Sequence, residues 1–268
     1  MKLGSDYAHT GGKPFDAALP AVVFVHGALH DHSVWTLVAR WFAHHGHAVL
    51  AVDLPGHGRS DGPALASVEA MADWLLGVLD AAGVARAAFV GHSMGSLVAL
   101  EAAARRPDAC AALALVATAF PMAVSPKLLD AARTGPPRAI ADVNVFSHAS
   151  TASKPSFPGP GMWLHGANEA LMHRTLAGGP AGPENLFVVD FTACDAYRGG
   201  LDAAARVTAP ATLILGRADR MTSPKATAPL AEALRARTVL LPAGHALMTE
   251  APDAFLGALR RVVVGERV

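Results

Sequence analysis

The chain has 268 residues, 52% of them hydrophobic and 16% charged, which suits one large globular domain and excludes a disordered protein. Its 22 basic and 22 acidic side chains cancel, and this argues against nucleic-acid binding, because phosphate contacts need a clustered basic face. No secretory leader and no apolar run of about 18 residues is visible, so a cytoplasmic protein without a membrane partner is expected.

Six short apolar runs predict strands that are buried on both faces, as in a parallel sheet. They are Ala21–His26, His47–Val52, Ala87–Val90, Ala111–Ala117, Ala211–Leu215 and Thr238–Leu241. Five longer segments predict helices, at Trp35–His45, Val68–Ala82, Ser96–Arg105, Pro224–Ala236 and Pro252–Val264. Alternating strands and helices indicate an α/β fold with a doubly wound, mostly parallel sheet. The weakly patterned first 18 residues predict an edge hairpin.

The alternation stops between residues 120 and 206, a stretch with several Pro and Gly residues. Loops longer than about 15 residues usually have a function. We therefore predict a mostly helical insertion at 120–206, with 1–119 and 207–268 forming the core. Apolar side chains of the insertion are candidates for substrate binding, and they are Met122, Phe146, Met162, Trp163 and Tyr197.

The segment His26–Asp31 follows the first predicted buried strand and contains a glycine. Without a side chain at Gly27, the backbone can come close to a reacting carbonyl group. We expect the amide of Ala28 to be one of two donors to a developing oxyanion, with the amide of Leu29 in reserve.

Two groups of histidines resemble metal clusters, one at His26, His30 and His32 and the other at His44, His45 and His47. Neither group offers the cysteine and carboxylate partners of a typical zinc site. The glycine-rich segment 56–60 lacks the lysine of a phosphate-binding loop and predicts a structural turn. We therefore expect no metal site.

Gly91-His92-Ser93-Met94-Gly95 separates a predicted strand from a predicted helix, which is the setting of a nucleophile elbow. The turn strains the backbone at the serine, and glycines on either side avoid Cβ clashes. Ser93 would project from the carboxyl end of its strand, where sites of α/β sheets form. We predict Ser93 as the nucleophile and the amide of Met94 as the other oxyanion donor.

A serine hydroxyl needs a base, and the base needs a partner that orients it. His245 lies in the loop after the last predicted strand, and Asp219 directly follows the strand Ala211–Leu215. Both therefore belong at the carboxyl edge of the sheet, as Ser93 does. The chain has 13 histidines, so position alone singles out His245. We predict His245 as the general base and Asp219 as the acid that orients it.

Five motifs together resemble the α/β-hydrolase superfamily, in its subgroup of small cap-bearing serine hydrolases. They are HGALHDHSVW (26–35), DLPGHGRSDG (53–62), GHSMGSLVALEAA (91–103), LGRAD (215–219) and PAGHALMTEAP (242–252). The order Ser, Asp, His is also that of the superfamily. The resemblance implies an α/β-hydrolase fold in which residues 120–206 form a helical lid. A serine nucleophile departs from haloalkane dehalogenases and epoxide hydrolases, which use a carboxylate.

These residues favour carboxylesterase chemistry, in which a carboxylic ester is hydrolysed through an acyl-enzyme at Ser93 without a cofactor. The expected partner is a small-molecule, ester-like substrate. Lactonase, thioesterase, amidase, C–C bond hydrolase and cofactor-free perhydrolase reactions use the same machinery, and a non-catalytic ligand receptor can use the same fold. A C–C hydrolase needs cations that bind a substrate carboxylate, and the insertion offers Arg133, Arg138, Arg174 and Arg198.

Overall fold

The structure is a computed structural model that describes residues 1–149, 163–179 and 184–265. Within these residues the strands are β1 (Lys2–Leu3), β2 (Asp6–His9), β3 (Ala21–Val25), β4 (Ala48–Asp53), β5 (Ala87–His92), β6 (Cys110–Val116), β7 (Ala211–Gly216) and β8 (Arg237–Leu241). They form one sheet in the order β1-β2-β4-β3-β5-β6-β7-β8. Strands β3 to β8 are mutually parallel, and β2 is antiparallel to both β1 and β4.

Helices separate most of these strands along the chain and follow the last of them. They are α1 (Thr36–His44), α2 (Val68–Ala81), α3 (Met94–Arg105), α4 (Pro126–Thr134), α5 (Pro136–Ser147), α6 (Leu164–Gly178), α7 (Leu186–Ala196), α8 (Gly200–Arg206), α9 (Ala228–Ala233), α10 (Leu247–Glu250) and α11 (Pro252–Val263). Short 3-10 turns lie at His32–Trp35, Pro107–Ala109 and Pro224–Thr227. No helix of the described residues combines the length and the apolar character that crossing a bilayer requires.

Helices cover the sheet on both faces, which explains why the central strands β3 to β7 are almost entirely apolar. Successive side chains of a strand point to opposite faces. Val23 and Val25 of β3 belong to the core layer that contains α2 and α3. Val22 and Phe24 belong to the layer that contains α1 and α11. The prediction of a doubly wound, mostly parallel α/β sheet is confirmed.

The order of the strands reverses at the centre of the sheet, and this places a crevice there. The chain leaves β3 towards α1 on one face, whereas it leaves β5 towards α3 on the other face. The loops after these two neighbouring strands therefore diverge at their carboxyl ends, which is where α/β sheets bind ligands. The His26–Asp31 loop and Ser93 lie at this point.

Helix α9 is shorter than predicted. The sequence predicts a helix over Pro224–Ala236, but the structure has a 3-10 turn followed by a helix that begins at Ala228. Pro229 lies in the first turn of α9, the part of a helix where the missing N–H of a proline costs nothing. The helix ends before Arg235, whose φ is 50°.

Helices α4 to α7 lie between β6 and β7, and we refer to them as the helical insertion. Their inward side chains form a cluster of their own that includes Ile140, Met172 and Phe187, together with Leu29 of the core. Helix α8 packs instead among the core residues, through Ala203 and Ala204. The boundary at residues 120–206 stays a prediction.

We predict opposite effects of two glycine-to-alanine substitutions. A Cβ on Gly91 would collide with the carbonyl group of Gly95, so Gly91→Ala should lower the free energy of unfolding by at least about 1–3 kcal/mol. Gly77 is exposed on α2 with no atom within 4 Å of such a Cβ, so Gly77→Ala should stabilise the protein by ~0.5–1 kcal/mol. Urea denaturation measures both changes, and equal stabilities would contradict the packing argument.

Candidate active site

Ser93 occupies a sharp turn between β5 and α3. Its φ of 51° and ψ of −119° lie in a strained region for a residue with a side chain. The Ser93 amide donates to the Val116 carbonyl at 2.9 Å, which ties the turn to β6. A Cβ at Gly95 would collide with the Val25 and His26 carbonyl groups, so α3 lies directly against the end of β3. The strain at Ser93 is thus imposed by close packing on both sides.

His245 and Asp219 form a hydrogen-bonded pair beyond the ends of β8 and β7. His245 Nδ1 lies 2.9 Å from Asp219 Oδ2, and both side chains are buried. The amides of Met221 and Thr222 each donate to Asp219 Oδ1 at 2.8 Å, and Thr222 Oγ1 donates to Oδ2 at 2.8 Å. With Nδ1 donating to the carboxylate, Nε2 of His245 is free to accept a proton.

The pKa of Asp219 is lowered by this environment. Burial alone would raise it, but the positive charge of a protonated His245 and the hydrogen bonds from His245 and Thr222 outweigh burial. Asp219 therefore stays ionised. It holds one tautomer of His245 and would stabilise an imidazolium there.

Ser93 and His245 line the same cavity. No hydrogen bond joins the Ser93 hydroxyl to the His245 ring among the described residues. In free enzymes this bond is often long, and it shortens when the substrate binds. The structure thus brings the three predicted catalytic side chains to one end of the sheet, with His245 and Asp219 already hydrogen-bonded.

His92 packs against His245 without adding a charge to the site. Its ring centroid lies 4.8 Å from that of His245, and its Nε2 donates to the His245 carbonyl at 2.9 Å. Burial lowers the pKa of His92 well below its usual value, and so does the neighbouring His245. A neutral His92 fixes the loop that carries His245 and leaves that ring free to take up a proton.

The backbone amides of Ala28 and Met94, the two predicted oxyanion donors, have no hydrogen-bond acceptor among the described residues. Met94 is the first residue of α3, so its amide is one of those that a helix leaves unpaired. The carbonyl groups around Ala28 are engaged, because His26 Nδ1 donates to the Gly27 oxygen at 2.8 Å and His30 Nδ1 to the Ala28 oxygen at 2.7 Å. The loop is therefore held with one free donor beside Ser93.

The reserve donor named from the sequence is already occupied, which corrects that expectation. The Leu29 amide donates to Asp190 Oδ2 at 2.7 Å and points into the core. Leu29 has a φ of 56°, and this left-handed conformation turns its amide away from that of Ala28. Nothing in the local sequence indicates this bond, because Asp190 lies on α7 of the helical insertion.

A cavity of about 200 Å³ opens over Ser93 and His245. Core and helical insertion both contribute to its walls, which are mostly apolar. The insertion supplies Leu128, Val143 and Phe191, one residue each from α4, α5 and α7. Met122, Val124 and Met221 add further apolar surface.

Of the four predicted substrate-binding residues that the structure describes, only Met122 lines this cavity. Phe146 is 49% exposed and lies under the Arg220 guanidinium at 5.3 Å, and Trp163 is 53% exposed. The Tyr197 hydroxyl donates to the buried Glu101 carboxylate at 2.7 Å, which holds that ring in the core. These three residues therefore lie away from the cavity wall. Met162 lies outside the described residues.

Most of the cavity lining was not predicted from the sequence. Leu128, Val143 and Phe191 are ordinary apolar positions of helices, and only the packing of α4, α5 and α7 turns them towards Ser93. Thr222 was not predicted either, although its place three residues after Asp219 is the spacing at which a carboxylate often accepts a backbone amide.

One group of described residues could hold a cation. Asp31, His32 and Asp53 place ligand atoms within 4.8 Å of one another. Their carboxylates already have partners, because Arg174 pairs with Asp31 at 2.7 Å and the His32 amide donates to Asp53 at 2.6 Å. A cation would have to displace Arg174, so these residues form a hydrogen-bonded support for the loop.

Comparisons with known proteins place this geometry in context. A sequence profile of the alpha/beta hydrolase fold matches residues 20–252. The chain is 39% identical over 102 residues to the sn-1-specific diacylglycerol lipase ABHD11 of Mus musculus, covering 38% of this chain and 33% of the relative. It is 38% identical over 97 residues to the lipase LipV of Mycobacterium tuberculosis, covering 35% and 36%. The chain thus aligns with about a third of these relatives' length.

A solved structure is similar over nearly the whole chain. The enol-lactonase of Burkholderia xenovorans LB400 superposes with a TM-score of 0.78 at 26% identity, covering 91% of each chain. The chain thus shares most of its architecture with another hydrolase.

We predict that Asp219 stabilises the folded protein in a pH-dependent way. Because its folded pKa is depressed, its contribution is present above the unfolded value of about 3.9 and is lost as pH falls through the folded value. Asp219→Asn should therefore be less stable than wild type at neutral pH, and the gap should shrink on acidification. Urea denaturation between neutral pH and pH of about 3 measures the gap. A gap that does not change with pH would contradict the assigned ionisation.

Proposed function

The chain belongs to the alpha/beta hydrolase fold family, and within this hydrolase family we propose that it is a serine hydrolase that cleaves a carboxylic ester. Ser93 is the proposed nucleophile, His245 the general base and Asp219 the acid that orients the base. One observation gives the proposal its strongest support. The 2.9 Å pair of His245 and Asp219 lies at the same cavity as a serine on a strained strand-to-helix turn.

In the proposed reaction His245 Nε2 takes the proton of Ser93 while Oγ attacks the ester carbonyl carbon. The oxyanion of the tetrahedral intermediate accepts hydrogen bonds from the amides of Ala28 and Met94. Protonated His245 then gives its proton to the leaving alkoxide, and the acyl-enzyme remains. A water molecule that loses a proton to His245 attacks the acyl group, and collapse of the second intermediate restores Ser93 and releases the acid. Asp219 stays ionised throughout.

The cavity supports a small, uncharged acyl group as substrate. Its volume of about 200 Å³ is below the range of roughly 300–1,000 Å³ that is usual for drug-sized ligands. Most of the lining surface is apolar, which favours acyl groups without charge. Arg220 also lines the cavity, and its guanidinium donates to the His148 carbonyl at 3.2 Å. Because three helices of the insertion contribute to the lining, we propose that the insertion acts as a lid that limits the length of the acyl chain.

A C–C bond hydrolase finds less support. Of the four arginines that could hold a substrate carboxylate, Arg133, Arg138 and Arg174 pair with acidic side chains. Arg198 donates to backbone carbonyl groups, and none of the four lines the cavity among the described residues.

Lactone hydrolysis is the second candidate, because the enol-lactonase of Burkholderia xenovorans LB400 shares the fold over 91% of each chain and the same acyl-enzyme chemistry opens a cyclic ester.

We predict that Ser93→Ala abolishes turnover and leaves the protein folded. Loss of the nucleophile should lower kcat by about 10⁶-fold, because the other two residues act only through the serine. A fluorophosphonate should form a covalent adduct with the wild type at Ser93 and not with the variant, as read by mass spectrometry of the intact protein and its peptides.

Ser67→Ala is the matched control for this substitution. Ser67 accepts from the Ala70 amide at the start of α2, so its loss should cost about 1 kcal/mol of stability and leave labelling unchanged. Sustained ester turnover by a folded Ser93→Ala protein would refute the assignment. An absence of turnover and labelling in the wild type would favour a ligand receptor.

We predict a preference for short acyl chains. With p-nitrophenyl esters, kcat/KM should be highest for butanoyl and hexanoyl groups and lower by at least about tenfold for dodecanoyl, because each methylene that does not fit forfeits its burial energy. Phe191→Ala should enlarge the cavity and move the optimum to longer chains. Rates that rise steadily with chain length would contradict the role of the lining, and a matched panel of lactones separates the two candidate reactions.

A further inference from the structure

Asp190 is a fully buried carboxylate that the proposed reaction does not use. It lies on α7 of the helical insertion and has no exposed surface. Its Oδ2 accepts from the Leu29 amide at 2.7 Å and lies 2.9 Å from Nε2 of His57. One oxygen thus connects the insertion to two loops of the core, the one after β3 and the turn after β4.

The bonding of His57 shows that it carries a positive charge. Its Nδ1 lies 3.1 Å from the Pro55 carbonyl, which can only accept, so Nδ1 must hold a proton. Its Nε2 faces a carboxylate, so that nitrogen donates as well. Burial alone would lower the pKa of His57, but the charge and the hydrogen bond of Asp190 outweigh burial and raise that pKa. Asp190 and His57 therefore form a buried ion pair.

Two other titratable groups face His57. The ring of His26 lies 4.9 Å away, and it is neutral because its Nε2 accepts from the Leu54 amide while its Nδ1 donates. Burial lowers the pKa of His26 to about 4. The carboxylate of Asp53 adds to the negative potential at His57. His26 is therefore uncharged, and Asp190 is the carboxylate that hydrogen-bonds the charged His57 ring directly.

The ion pair holds the loop that carries the free amide of Ala28. Leu29, the next residue, has a φ of 56°, and a left-handed conformation of this kind persists only where surrounding contacts enforce it. The contact that the Leu29 amide makes is with Asp190. If that acceptor is lost, the Leu29 backbone can relax, and the adjoining peptide with the Ala28 amide turns with it.

We propose that Asp190, paired with His57, is a positioning residue that keeps the Ala28 amide aimed at the oxyanion, so that this donor is complete only when α7 is seated on the core. The inference rests on the proposed function of Ser93 and Ala28. It predicts that the insertion contributes to transition-state stabilisation through one hydrogen bond, in addition to forming the wall of the cavity.

The test compares Asp190→Ala and Asp190→Asn with the wild type. Asp190→Ala should lower kcat by about 10- to 100-fold, near the effect of losing one oxyanion donor, with KM changed by less than about threefold. Asp190→Asn keeps an oxygen for the Leu29 amide and should retain more of kcat than the alanine variant. A boronic acid, whose adduct with Ser93 places an oxygen in the oxyanion hole, should bind Asp190→Ala more weakly by the factor by which kcat/KM falls.

Val188→Ala is the matched control for a loosened insertion. Val188 is fully buried on the same helix and does not line the cavity. Its truncation should lower the thermal stability of the protein and leave kcat per active site, as titrated with a fluorophosphonate, close to that of the wild type. All rates are divided by the concentration of active sites that the fluorophosphonate labels, so a smaller folded fraction does not lower the measured kcat.

The pH dependence gives a second measurement. The folded pKa of His57 is raised, so the ion pair is complete below the ordinary histidine value and is lost as pH rises through the folded value. The wild-type kcat should therefore fall on an alkaline limb. Asp190→Asn should move this limb to lower pH, and His57→Gln, which cannot titrate, should remove it at a reduced kcat.

The experiments distinguish failure of the positioning role of Asp190 from failure of the proposed function. If the wild type is labelled at Ser93 and turns over, but the Asp190 variants keep kcat, boronate affinity and the pH profile, the positioning role is wrong and the proposed function stands. If the wild type neither turns over nor is labelled, the proposed function itself fails. If Asp190→Ala does not fold, the pH dependence of kcat in Asp190→Asn alone tests the positioning role.

Discussion

The close approach of α3 to the sheet is the constraint on which the rest of the site depends. At Gly91 and Gly95 the backbone of the strand and that of the helix leave no room for a Cβ atom. The chain can then reverse from β5 into α3 within one residue, and that residue is Ser93. The same contact brings the first free amide of α3 beside the loop after β3. The position of Ser93 and that of the free Met94 amide are therefore both products of one packing contact.

Around this contact, most polar groups of the loops are already committed to one another. Asp219 has four donors, and both ring nitrogens of His26 and His57 are engaged. Buried polar groups that are fully paired define a single arrangement of the backbone, because each alternative leaves a donor or acceptor without a partner. The amides of Ala28 and Met94 are left without an acceptor among the described residues, so they can act on a substrate.

How far the sequence predicts the site depends on whether a residue's role is local. The elbow around Ser93 and the strand ends before Asp219 and His245 are local patterns, so they can be read from a few residues. The cavity lining is not local. Tyr197 and Phe146 are large aromatic residues like Phe191, but Glu101 holds the first in the core and Arg220 covers the second. Only helix rotation and partner choice separate them, and neither is encoded in hydrophobicity.

By itself, the sequence determined the doubly wound sheet, its order of elements and the three candidate catalytic residues, because apolar periodicity and the positions of glycines act over short stretches of chain. The tertiary structure alone decided which amide near Gly27 is free. That choice depends on a carboxylate on α7, 161 residues away from Leu29 in the chain. A hydrogen bond across such a separation leaves no periodic trace in the sequence, since it requires only that two buried groups meet when the helical insertion packs on the core.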